Sequence, residues 1–85
     1  MIAKRVSGYH EIDWKQYCYY KVDNIWYLYL PGCGLGNLAK HDVVEHEDGT
    51  ISVTPSILVT GHDKNNNYKK VVKHGHLTRG IWEDS

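Results

Sequence analysis

Six histidines, two cysteines and a serine that follows a proline are the residues of this 85-residue chain best suited to chemistry. His74 and His76 form the closest histidine pair. In a strand, a spacing of two sets both imidazoles on one face, as a strand would offer two ligands to one ion. Cys33 lies in the glycine-rich run Pro31-Gly-Cys-Gly-Leu-Gly-Asn37 and would add a thiolate, with His41 or His46 as a further nitrogen. A closed Cys/His site of that kind lends folding energy to a small domain. Cys33, His74 and His76 are therefore the candidate metal ligands, and zinc is the metal they suit. Neither Cys-x-x-Cys nor His-Glu-x-x-His occurs, so spacing alone does not specify zinc.

A nucleophile is the other option. Ser56 or Cys33 could pair with His74, with Glu45, Glu47 or Asp48 to orient the base. Nothing in the spacing fixes these groups together, and a serine after Pro55 is more simply a turn residue that bonds its own backbone. An enzyme is the less favoured reading, and no catalytic residue is assigned. The alternating glycines 32, 34 and 36 suggest a phosphate-cradling loop. That reading needs a following helix or a Lys-Ser/Thr pair, and the chain supplies neither, so a turn between strands is the simpler expectation.

The elements that must position these groups are strands. Period-2 alternation is strongest from Trp14 to Leu30, where Trp26, Leu28 and Leu30 share one face and Ile25, Tyr27 and Tyr29 the other. Asp23-Asn24 reads as a hairpin turn inside it. A strand is expected over Leu38 to His46, and Glu47-Asp-Gly-Thr50 suits a type I′ turn. The partner strand starts at Ile51 and must bend, bulge or lie at an edge at Pro55. Gly61 to Asn67 reads as a polar loop and Tyr68 to Val72 as a strand, with Ile81-Trp82 pairing briefly after a turn at 78–80. No apolar stripe of helical spacing persists. The expected fold is one all-β domain over residues 1–85: a small antiparallel meander, sandwich or open barrel of six to seven short strands.

Seven tyrosines and three tryptophans, with no phenylalanine, are many rings for one small core. The hairpin concentrates them, and Tyr17, Tyr19, Tyr27 and Tyr29 are the candidate contact face for a partner. Ten basic and ten acidic residues leave no net charge. A balanced chain is not drawn to nucleic acid or an anionic membrane, apart from a local patch at Lys64, Lys69, Lys70 and Lys73. No apolar run reaches membrane-spanning length, and the first residues do not read as a secretory signal. Cytoplasmic residence is the default, and Cys18 and Cys33 are expected as thiols rather than a disulfide.

Two segments carry a family likeness. Ser52-Val-Thr-Pro-Ser-Ile57, followed after a loop by His74-Gly-His-Leu-Thr-Arg-Gly80, resembles small phage and prophage proteins of unknown function, whose larger relatives are loosely labelled ammonia monooxygenase. The likeness covers about the last half of the chain, and Pro31-Gly-Cys-Gly34 echoes a further cysteine-glycine segment. Cysteine-richer members carry what looks like a zinc site, but only Cys33 and His74 match it here. Lys73 stands where those members have a second cysteine or an aromatic. The resemblance implies a phage accessory protein in the host cytoplasm that binds another protein, such as a host defence or metabolic machine. No cofactor is then required. A zinc-binding domain with a structural or hydrolytic site is the alternative, and a self-associating component of the phage particle is a further one.

Overall fold

A computed structural model describes the backbone of residues 1–63 and 69–85 and the side chains of 1–59 and 73–85. The expected loop tip, Lys64 and Tyr68 lie outside the described residues, as do the side chains of Lys69 and Lys70. Eight strands form two four-stranded sheets. The first holds β1 (Lys4–Arg5), β2 (Cys18–Val22), β3 (Ile25–Leu30) and β4 (Gly34–Asn37) in that order. The second holds β5 (Asp42–Glu45), β6 (Ile51–Asp63), β7 (Lys69–Thr78) and β8 (Ile81–Asp84). All neighbours are antiparallel except β1 and β2, which run parallel. The fold is an open, all-β sandwich, as the periodicity predicted.

Local chemistry explains most joints. Asp23 and Asn24 both take positive φ, the geometry of a two-residue type I′ turn, which twists in the sense the flanking strands need. At 46–50 only Gly49 turns positive, and His46 and Gly49 close the loop through backbone bonds. This is a three-residue turn ending on a left-handed glycine, which corrects the type I′ expectation there. Pro55 interrupts the ladder as expected: β6 changes register between Val53 and Ile57. Gly75 is fixed by packing. A Cβ there would stand 2.6 Å from the Trp82 ring and against the Glu83 carbonyl.

Several strands differ from expectation: eight form rather than six or seven, with β1 unexpected, and β6 continues through Gly61–Asp63, where a polar loop was expected. The glycine run is itself strand β4, paired with β3 from Asn37 back to Gly34. Leu38 to His41 is a turn, so the next strand is shorter than predicted.

The inner faces meet around Tyr19, Leu28, Leu30, Ile51, Val53, Leu77 and Trp82. Residues 1–5 serve both sheets. Ile2 bridges to Ile81 and Ala3 bonds Gly80, while β1 pairs with β2. Arg5 fastens the same corner: its Nη1 donates to Glu45 Oε2 at 2.9 Å and to the Gly49 carbonyl at 2.7 Å. Its guanidinium also lies 5.2 Å from the centre of the Trp26 ring.

A second, smaller core sits on the outer side of the first sheet, where Val6 and Ile12 pack on Cys18, Tyr20 and Tyr29. The segment that supplies it includes a short 3-10 turn, Tyr9–Glu11. Glu11 accepts the Ser7 amide at 2.8 Å and holds that loop closed. No helix among the described residues is long and apolar enough to cross a membrane.

Candidate functional site

The turn at Asp23-Asn24 decides where the tyrosines go. A two-residue turn pairs odd positions of β2 with even positions of β3, so Tyr19 faces Leu28 and Tyr20 faces Tyr27. Tyr17 and Tyr19 therefore point into the main core, at 4% and 2% exposed. Tyr27 and Tyr29 point the other way with Cys18 and Tyr20. The four tyrosines expected to share one contact face are split between opposite sides of the sheet. Three of them, Tyr17, Tyr19 and Tyr29, are buried, and only Tyr27 keeps partial access.

Trp14 covers Tyr29. The Tyr29 hydroxyl donates to the Trp14 carbonyl at 2.8 Å, and the two rings meet edge-on at 5.1 Å. Tyr9 then packs on Trp14 at 5.4 Å. Tyr20 stacks on Tyr27 with centroids 5.2 Å apart. Burial pushes the phenols of Tyr19, Tyr20 and Tyr29 up from their ordinary values.

What stays uncovered on this side is a different set of residues. Tyr9 is 59% exposed and Trp14 52%, while the cross-strand pair Val22 and Ile25 shows 42% and 37%. Leu35, paired with Tyr29 across β4, shows 38%. With Tyr27 between them, these side chains make a continuous apolar and aromatic surface. Sequence reasoning missed Tyr9, which precedes the alternating stretch, and Trp14, which opens that stretch but lies before β2 begins at Cys18. The parity set by the turn would have removed Tyr17 and Tyr19.

The outer face of the second sheet is mixed: Val44, Leu58 and Ile81 are exposed on it beside serines and histidines. His74 and His76 do share a face, with ring centroids 6.5 Å apart, but each has a different neighbour. His74 Nε2 lies 2.9 Å from Ser56 Oγ, and His76 sits opposite Glu83. His46 Nε2 is likewise 2.7 Å from Ser52 Oγ. Cys33 lies on the far side of that sheet, packed against the main core. Lys73, next to His74 on β7, also points inward and donates to the Tyr17 hydroxyl. Adjacent strand residues point to opposite faces, so His74 is turned away from Cys33. The set Cys33, His74 and His76 is not assembled, and no group of three metal-binding side chains comes together among the described residues. Cys18 and Cys33 are free thiols, one at each core.

Ser56 and His74, considered from the sequence as nucleophile and base, are thus within hydrogen-bond reach. Among the described residues no carboxylate bonds His74. The pair has a hydrogen bond but no third group to orient the imidazole.

A cavity of about 210 Å³ opens where the sheets part, between β4 and β6. Leu28, Cys33, Leu38, Ile57 and Val59 form its apolar wall, with His41 at the rim. His41 Nε2 lies 3.4 Å from the Ser56 carbonyl, and its Nδ1 is buried with no hydrogen-bond partner among the described residues.

No family model matches the chain, and neither a curated protein nor a solved structure matches it significantly.

Proposed function

We propose that this chain is a small binding module for another protein, and that the outer face of its first sheet makes the contact. The observation that carries the reading is the apolar surface of Tyr9, Trp14, Val22, Ile25, Tyr27 and Leu35, exposed beside a small core that is already closed. An exposed aromatic patch on a folded domain is costly to leave in water and is typical of contact surfaces. The rings are also held in place: Trp14 by Tyr29 and Tyr9, Tyr27 by Tyr20. A rigid aromatic anchor loses little side-chain freedom on binding. The zero net charge favours a protein over a nucleic acid.

The likeness of Ser52–Ile57 and His74–Gly80 to small phage proteins supports a bacterial host protein as the partner. The test is capture from bacterial lysate on immobilised protein, quantified by mass spectrometry. Wild-type chain should retain a specific protein that Trp14→Ser with Ile25→Ser releases. Recovery of the same proteins by both forms would overturn the reading.

A further inference from the structure

Strand β4 has a partner on one side only, since it closes the first sheet at its edge. The Leu38 amide donates to the Trp26 carbonyl at 2.8 Å, which sets the phase of the ladder. Leu28 with Gly36, and Leu30 with Gly34, are then the hydrogen-bonded pairs. Leu35 and Asn37 fall in the alternate pairs, so their N–H and C=O groups point to the free edge. No backbone bond to another element takes these groups among the described residues.

Among the described residues, nothing covers the inward side of this edge. Gly34 and Gly36 face the same way as Leu30 and Leu28, and a Cβ built on either glycine meets nothing within 4 Å. The open space above them runs into the cavity walled by Leu28, Leu38, Ile57 and Val59. An edge with free hydrogen-bonding groups, an apolar recess beside it and no side chains of its own in the way suits an added strand.

Charge marks one end. Lys73 pairs across β7 from Val59 of the cavity wall, and its ammonium acts on the Cys33 thiol, pulling against the upward push of burial. Lys73 faces inward behind Val59, bonded to the Tyr17 hydroxyl with Asp84 also near it, so the Cys33 end carries one partly offset positive charge.

We propose that β4 receives an extended peptide segment of the partner protein as a fifth strand, with an apolar side chain seated in the recess over Gly36 and an acidic residue at the Cys33–Lys73 end. This rests on the reading of the chain as a protein-binding module and adds how the partner is held. Backbone pairing with Leu35 and Asn37 supplies register. The recess selects one apolar side chain, and Lys73 sets which end of the segment is acidic. Leu35, on the outer side of the same strand, joins this groove to the aromatic surface.

The test is selection from a displayed library of random nonapeptides against the wild-type chain, with Gly36→Val as the comparison. Gly36 has ordinary strand geometry and open space around it, so valine should fill the recess while the thermal midpoint holds. Enriched peptides should alternate apolar residues, carry an acid at one end and lose roughly tenfold or more in affinity on Gly36→Val. Lys73→Gln should weaken the acidic peptides by about threefold, as expected for a partly exposed ion pair. Bound peptide should also slow exchange of the Leu35 and Asn37 amides. No enriched peptide, or peptides that bind Gly36→Val as well as wild type, would overturn the proposal. If Trp14→Ser with Ile25→Ser abolishes lysate capture while Gly36→Val leaves it intact, the module reading stands and the added strand falls.

Discussion

The two sheets offer opposite solutions for their outer faces. On the first sheet, Cys18, Tyr20, Tyr27 and Tyr29 turn outward, and the chain folds the segment from Val6 to Trp14 back over part of them. On the second, outward positions carry Ser52 bonded to His46, Ser56 bonded to His74, and His76, interspersed with exposed Val44, Leu58 and Ile81. Burying a ring needs a cover, whereas a serine–histidine pair satisfies itself in water. The first sheet therefore ends with a closed small core and a rim of interlocked rings, and the second with serine–histidine pairs among isolated exposed aliphatics. Binding is proposed for the first sheet because its exposed rings support one another, whereas Val44, Leu58 and Ile81 stand singly.

The largest expected contrast is in stability. Tyr29→Ala should cost about 3–4 kcal/mol, because it empties a buried site and strips Trp14 of its support. His76→Ala, on the exposed outer face of the second sheet, should stay within about 0.5 kcal/mol of wild type. Urea unfolding measures both, and equal losses would break the contrast between the faces.

Next comes alkaline behaviour. Burial raises the phenols of Tyr19, Tyr20 and Tyr29 above the ordinary value of 10.0, and all three belong to the first sheet. An acid with a raised folded value contributes stability that is fully present below its unfolded value and is lost as pH rises through the folded one. Thermal midpoints should therefore hold up to about pH 10 and fall beyond it. Replacing Tyr20 and Tyr29 by phenylalanine should flatten that fall. An unchanged slope would detach the effect from the small core.

The smallest effect is on the second sheet. Ser56→Ala removes the hydroxyl at 2.9 Å from His74 and should cost no more than about 1 kcal/mol, since both groups reach water. A loss near that of Tyr29→Ala would mean the serine–histidine pair is structural after all.

The all-β class was legible because alternation and turn residues are local signals: Trp26, Leu28 and Leu30 share one face as their spacing predicts, and Asp23-Asn24 turns where it should. Strand β4 was hidden because Gly34 and Gly36 have no side chains to alternate. The buried fate of Tyr29 depended on Trp14 returning across fifteen residues, a contact that no local pattern encodes. Tyr17 and Tyr19 were readable, since the length of the turn fixes which residues face each other. The histidine pair was placed correctly on one strand face, but the opposing thiol was assigned without knowing which side β7 turns toward the core.

The corner made by residues 1–5 bears on how the chain comes into being. Ile2 and Ala3 are held by Ile81 and Gly80, almost the whole sequence away. During synthesis these opening residues must wait until the closing hairpin has left the ribosome tunnel. The β2–β3 hairpin can form early, but the sandwich cannot lock before β8 has been made. Until then its inner tyrosines and tryptophans are unshielded, which exposes them to chaperones before any final partner.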